Sequence, residues 1–279
     1  MQPPSLRSAK ASQSIPLSAY LLLTFGSAWL VWLPLLVAEY ASHPLPVPSI
    51  VLIMLGSFAP TLTALFLTWR CAGRSGLHRL LGRALVWRVS PIWYGIVLFG
   101  PALVMLLATG GHVLLGGAVP NYVPFGPRWL LVPINFVLVL LIGGPLGEEF
   151  GWRGLALPAL EARFRPPWDS LILGLIWTIW HLPLFFISAS AQHSLPFGLY
   201  ALLTIPLTIL ITWLYHGSGD SLLLVMLVHA AVNTWSGPLQ ISPEAAGSSR
   251  PFILVVILTW AAALLVAGLG RVRTHQAAD

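Results

Sequence analysis

The chain has 279 residues, 57% of them hydrophobic and 8% charged, with a net charge of +6. Soluble domains carry about a quarter charged residues, so this composition excludes an ordinary soluble globule and a disordered chain, and a mean hydropathy of +0.85 indicates a polytopic membrane protein. Continuous rather than alternating apolar runs argue against a β-barrel, the single cysteine Cys71 excludes an internal disulfide or a cysteine metal cluster, and the positive charge reads as arginine-rich cytoplasmic loops, not as a nucleic-acid surface.

In chain order, a polar tail at 1–16 precedes apolar segments near 17–38, 49–69, 91–117, 130–153, 169–188, 197–215, 220–236 and 251–270, and a second tail covers 271–279. Only helices satisfy their own backbone in lipid, so the expected fold is all-α: a polytopic integral membrane bundle of about eight transmembrane helices, one domain over 17–270. The first segment is too long for the apolar region of a signal peptide and has no clean cleavage site after it. An eight-span path puts 12 of the 14 basic residues on one side, with only Arg128 and Arg250 opposite, which predicts both termini in the cytoplasm. The run from Arg70 to Arg88 reads as a topology signal and a lipid-headgroup contact. The segment 237–250 reads as an exposed irregular connection.

Six of the eight acidic residues fall in loops, span ends or the tail; Glu148 and Glu149 follow the run VLVLLIGGPLG directly. An ionisable residue at membrane depth is a functional candidate by default. Arg153 is four residues beyond Glu149, so a helix puts the two on one face and leaves Glu148 free. His181 lies inside the fifth segment with Trp177 on its face and Pro183 just beyond. His229 and Asn233, spaced i, i+4 in the seventh, project together. Helix rise sets His181 about 18 Å and His229 about 14 Å into their spans. The helix carrying the glutamate pair must therefore continue past it, with Pro158 as the expected stop and a kink at Gly143, Gly144 and Pro145. Carboxylate, two imidazoles and carboxamide are the groups that amide hydrolysis needs: a base for water and donors for the oxyanion. A helix–helix hydrogen bond is the alternative for each group alone. His43, His78, His193, His216 and His275 read as solvated, and His112 as a packing or lumen-facing residue rather than a catalytic one.

The motifs GEEFGWRG, WTIWH and HAAVN fit EExxxR, FxxxH and HxxxN in order and spacing. The chain thereby resembles the CPBP family of CAAX-protease and bacteriocin-processing (Abi-type) intramembrane proteases over about residues 140–237, with Trp177 where phenylalanine is usual. The resemblance implies a helical bundle with a cytosol-facing cavity in a plasma membrane of bacterial type, and a membrane-proximal or lipidated peptide substrate. It implies Glu148 and His181 as the pair that activates water, His229 and Asn233 on the oxyanion side, and Glu149, Arg153 and Trp177 as support. No cofactor is expected. A zinc enzyme with Glu148, His181 and His229 as ligands is the alternative, as is a non-catalytic immunity or transport protein on the same scaffold.

Overall fold

A computed structural model describes residues 15–41, 45–119 and 130–276, with side chains through 268. Every expected apolar segment is helical. In order these are α1 (Leu17–Ala41), α2 (Ser49–Ser57), α3 (Ala59–Gly82), α4 (Pro91–Leu114), α5 (Val132–Ile142), α6 (Pro145–Gly151) continued by a π turn (Trp152–Ala156) and α7 (Leu157–Glu161), α8 (Trp168–Trp180), α9 (Phe197–Gly217), α10 (Leu222–Ser236), the short α11 (Pro243–Ala246) and α12 (Arg250–Gln276). No strand occurs among the described residues.

Among the described residues, six helical paths are long and apolar enough to cross a membrane; α5 with Pro145–Glu161 makes a seventh, bent by 43°. The eighth expected segment is α10, apolar but only 15 residues long. Its inner half is buried in protein rather than lipid: Leu222, Leu224, Val225 and Ala230 are fully covered. Eight spans was thus an approximate count, and the difference lies in two helices devoted to the site. The tail residues 1–14 and 277–279 lie outside the described residues.

The bend follows from the sequence. Gly143 closes α5, and Gly144 adopts φ 113°, ψ −55°, a conformation that a side chain would strain, before Pro145 starts α6. Beyond the bend, glycines four apart let two backbones meet, as small residues do in membrane bundles. A Cβ on Gly147 would lie 2.6 Å from the Ser57 carbonyl, and one on Gly151 would strike the Tyr20 hydroxyl and come 2.6 Å from the Pro60 carbonyl. The α6 helix is therefore wedged against α3 and α1, and Thr61 donates to the Leu146 carbonyl at 2.9 Å. A core of Tyr20, Trp32, Trp152, Leu157, Leu173, Trp177 and Trp180 surrounds it.

Pro158 does not stop this helix, contrary to expectation. The π turn absorbs the proline: the Leu157 N–H reaches back five residues to the Trp152 carbonyl, and the chain stays helical to Glu161. The connection at 237–250 is also less exposed than its composition suggests, since Leu239, Gln240 and Ile241 are buried.

Candidate active site

The bend delivers Glu148 and Glu149 into the protein interior; both are buried, as is Arg153. Glu148 stands in the first turn of α6, where the free backbone N–H groups favour a carboxylate. Its Oε2 accepts two indole N–H bonds, from Trp177 at 2.6 Å and from Trp152 at 3.2 Å. Its Oε1 lies toward Gly144, where a Cβ would sit 2.7 Å from that oxygen and 4.0 Å from His229 Cε1. One oxygen of Glu148 is thus fixed by donors and the other lies toward Gly144.

Glu149 turns to Arg153 as the spacing predicts, with Nη1 donating to both carboxylate oxygens at 3.0 and 2.9 Å. It also takes a bond that the spacing did not reveal: His229 Nδ1 lies 2.7 Å from Glu149 Oε1. A carboxylate only accepts, so Nδ1 carries the proton. Glu149 therefore links the α6 helix to α10.

Pro183 acts as expected on α8, which ends at Trp180 and gives way to a 3-10 turn over Leu182–Phe186. His181 caps that end. Its Nδ1 lies 2.8 Å from the Trp177 carbonyl, and a carbonyl only accepts, so this proton too is on Nδ1 and Nε2 is presented to the site. Rings of Trp180 at 4.7 Å, Tyr200 at 5.4 Å and Trp177 at 5.8 Å enclose it. Glu148 and His229 are the titratable groups that act on it electrostatically.

Trp177 touches Glu148, Arg153, His181 and His229. Beyond its bonds to Glu148 and His181, its ring packs edge-on against His229 at 5.2 Å and lies under the Arg153 guanidinium at 4.7 Å. Glu148, Glu149, Arg153, Trp177, His181 and His229 therefore form one cluster from three helices. Asn233 stands apart: it is exposed one turn beyond His229, and its side chain makes no hydrogen bond to a described residue. The orienting bonds on Glu148 come from two indoles and not from His181. Trp152 was legible as the i+4 neighbour of Glu148; Tyr200 carried no sequence signal.

Among the described residues no three His, Cys, Asp or Glu side chains are grouped as a metal ion needs. Glu148, His181 and His229 are not grouped closely enough for this, although Oε1 of Glu148 and Nε2 of each histidine make no hydrogen bond to a described residue.

Residues 129–235 match the family described as type II CAAX prenyl endopeptidase Rce1-like. Over 227 residues, 77% of this chain and 81% of the relative, the sequence is 29% identical to the CAAX prenyl protease 2 of Methanococcus maripaludis. The chain is similar to this Rce1-like family of intramembrane peptidases across the segment that carries the cluster. Every residue of the cluster lies inside the matched segment, while α1, α3 and Arg83 lie outside it.

Outside the cluster, His216 is exposed, as its solvated reading expects, yet it also bridges two carboxylates. Its Nε2 lies 2.6 Å from Glu161 and its Nδ1 3.0 Å from Asp220, which ties the end of α7 to the turn between α9 and α10.

Proposed function

We propose that this chain hydrolyses a peptide bond of a membrane-proximal substrate, CAAX-like or bacteriocin-type, with Glu148 as the base. The supporting observation is the fixing of Glu148 Oε2 by Trp177 and Trp152, which leaves Oε1, on the Gly144 side, as the basic oxygen. Water loses its proton to Glu148 Oε1 as its oxygen attacks the peptide carbonyl. His181 orients that water through Nε2. Glu148 then passes the proton to the departing amine, and the products are a carboxylate and an amine.

His229 and Asn233 stabilise the oxyanion. Nδ1 of His229 is committed to Glu149, so a donor at Nε2 requires the imidazolium. In that form Arg153 and His229 together balance Glu148 and Glu149, and the cluster carries no net charge. Asn233 supplies its amide from the open side of α10, where substrate enters. No metal takes part. Both termini lie in the cytoplasm, and Arg70, Arg74, Arg79 and Arg88, exposed beside Trp69 and Trp87, meet anionic headgroups there.

The test is cleavage of a prenylated CAAX-type peptide by the purified full chain, with Glu148→Gln as control. Wild-type turnover that the variant lacks supports the reading. If the peptide stays intact, termini that vanish in cells carrying Glu148→Ala identify another substrate; no such termini would defeat the proposal.

A further inference from the structure

Arg83 differs from its neighbours in the basic segment. Arg74, Arg79 and Arg88 are exposed, whereas Arg83 is half-buried. Its Nη1 donates to the Gly154 carbonyl at 3.3 Å and to the Tyr215 hydroxyl at 3.0 Å. That carbonyl needs an outside donor for a covalent reason. In an α-helix it would accept from the N–H of residue 158, and Pro158 has none. The π turn over Trp152–Ala156 is the chain's accommodation of the proline, and π turns frequently mark functional sites.

Arg83 reaches this turn from a closely docked segment. Leu80, three residues earlier, covers Gly154 so tightly that a Cβ there would come within 2.7 Å of its Cδ1. Three residues later, the Val86 carbonyl accepts from the Ser221 hydroxyl at 2.6 Å, and Ser221 in turn accepts from the Leu224 N–H at 3.2 Å, capping α10. One short stretch, 80–86, thus holds both the helix of Glu148 and Glu149 and the helix of His229.

We propose that Arg83 is a positioning residue of the active site: by holding the Gly154 carbonyl it fixes the π turn from which Arg153 grips Glu149, and through Glu149 it sets His229. The effect on turnover rests on the peptidase reading above. The hold on the turn does not.

The experiment uses the full chain in liposomes, with two readouts: kinetics on a prenylated CAAX-type peptide, and amide hydrogen exchange over residues 152–157, which needs no substrate. Arg83→Met is expected to lower kcat about tenfold with KM little changed, and to speed exchange in the turn by a similar factor, the scale of one lost charge-assisted bond. Arg83→Lys, which keeps a charged donor, should recover most of both. Pro158→Ala restores the missing N–H, so Arg83→Met in that background should change exchange far less. Wild-type kcat in Arg83→Met, or lost kcat with unchanged exchange, overturns the proposal. A wild-type chain that cleaves nothing defeats the peptidase reading instead, and the exchange comparison alone then decides whether Arg83 holds the turn.

Discussion

The indole N–H of Trp177 sits 2.6 Å from Oε2 of Glu148, across 29 residues of sequence. Phenylalanine, usual at this place in the resembled family, has no such donor. A hydrogen bond to a charged group contributes about 1.5–3 kcal/mol. Trp177→Phe should keep the aromatic wall against His181 and His229 but free the carboxylate to rotate. The expected result is a kcat about tenfold lower with KM nearly unchanged, measured on a prenylated peptide. An unchanged kcat would show that Trp152 alone orients Glu148.

The two glutamates should fail differently. Glu148→Gln removes the base but leaves a side chain that still accepts from both indoles, so folding survives and activity does not. Glu149→Ala strands the buried Arg153, a loss of about 3–5 kcal/mol for a broken buried pair, and also frees His229. Thermal unfolding in detergent separates them: Glu149→Ala should melt well below wild type and Glu148→Gln beside it. Equal melting temperatures would mean that Arg153 finds another partner.

Those pairings also show how far the sequence could be read. Glu149–Arg153 is an i, i+4 relation on one helix, and helical geometry alone suffices for it. The contact of Glu149 with His229 spans 80 residues, and no local periodicity encodes it. Trp177 carried a signal for proximity to His181 but none for its bond to Glu148, which depends on the angle at Gly144. Pro158 was a misleading stop, because a π turn can absorb a proline when an outside donor, here Arg83, takes the freed carbonyl. The i, i+4 rule sets Asn233 one turn beyond His229, but burial at that height depends on how neighbouring helices close, and they leave it exposed.

Gly144→Ala tests the bend itself. The residue holds φ 113°, which costs a side chain roughly 1–2 kcal/mol, and the new methyl would meet Glu148 Oε1 at 2.7 Å. Activity should fall at least as far as in Trp177→Phe, with KM also affected because α5 and α6 change their angle. Near-wild-type turnover would show that Oε1 is not the reacting oxygen.

Topology is open to a direct check. Reporter fusions after Arg88 and after Gly117 flank α4, so they should report opposite sides, with Arg88 cytoplasmic. The same side for both would mean that α4 does not cross and that the arginine partition has another cause.

Chelation separates the two enzymatic readings. In the glutamate mechanism the water is activated by Glu148 and His181, and His229 needs a proton on Nε2 to serve the oxyanion, which a bound metal would displace. Phenanthroline or EDTA should then leave the purified activity intact, and the Asn233→Ala variant should lose roughly 10²–10³ in kcat, the scale of one oxyanion donor. A zinc enzyme would behave otherwise: activity would vanish with chelator and return with stoichiometric zinc, and His229→Ala would abolish metal content along with turnover. Metal analysis of the active protein alongside the chelator titration makes the outcome unambiguous, because zinc at one equivalent that tracks activity would require Oε1 of Glu148 and Nε2 of His181 and His229 to draw together around it, closer than they stand in this structure.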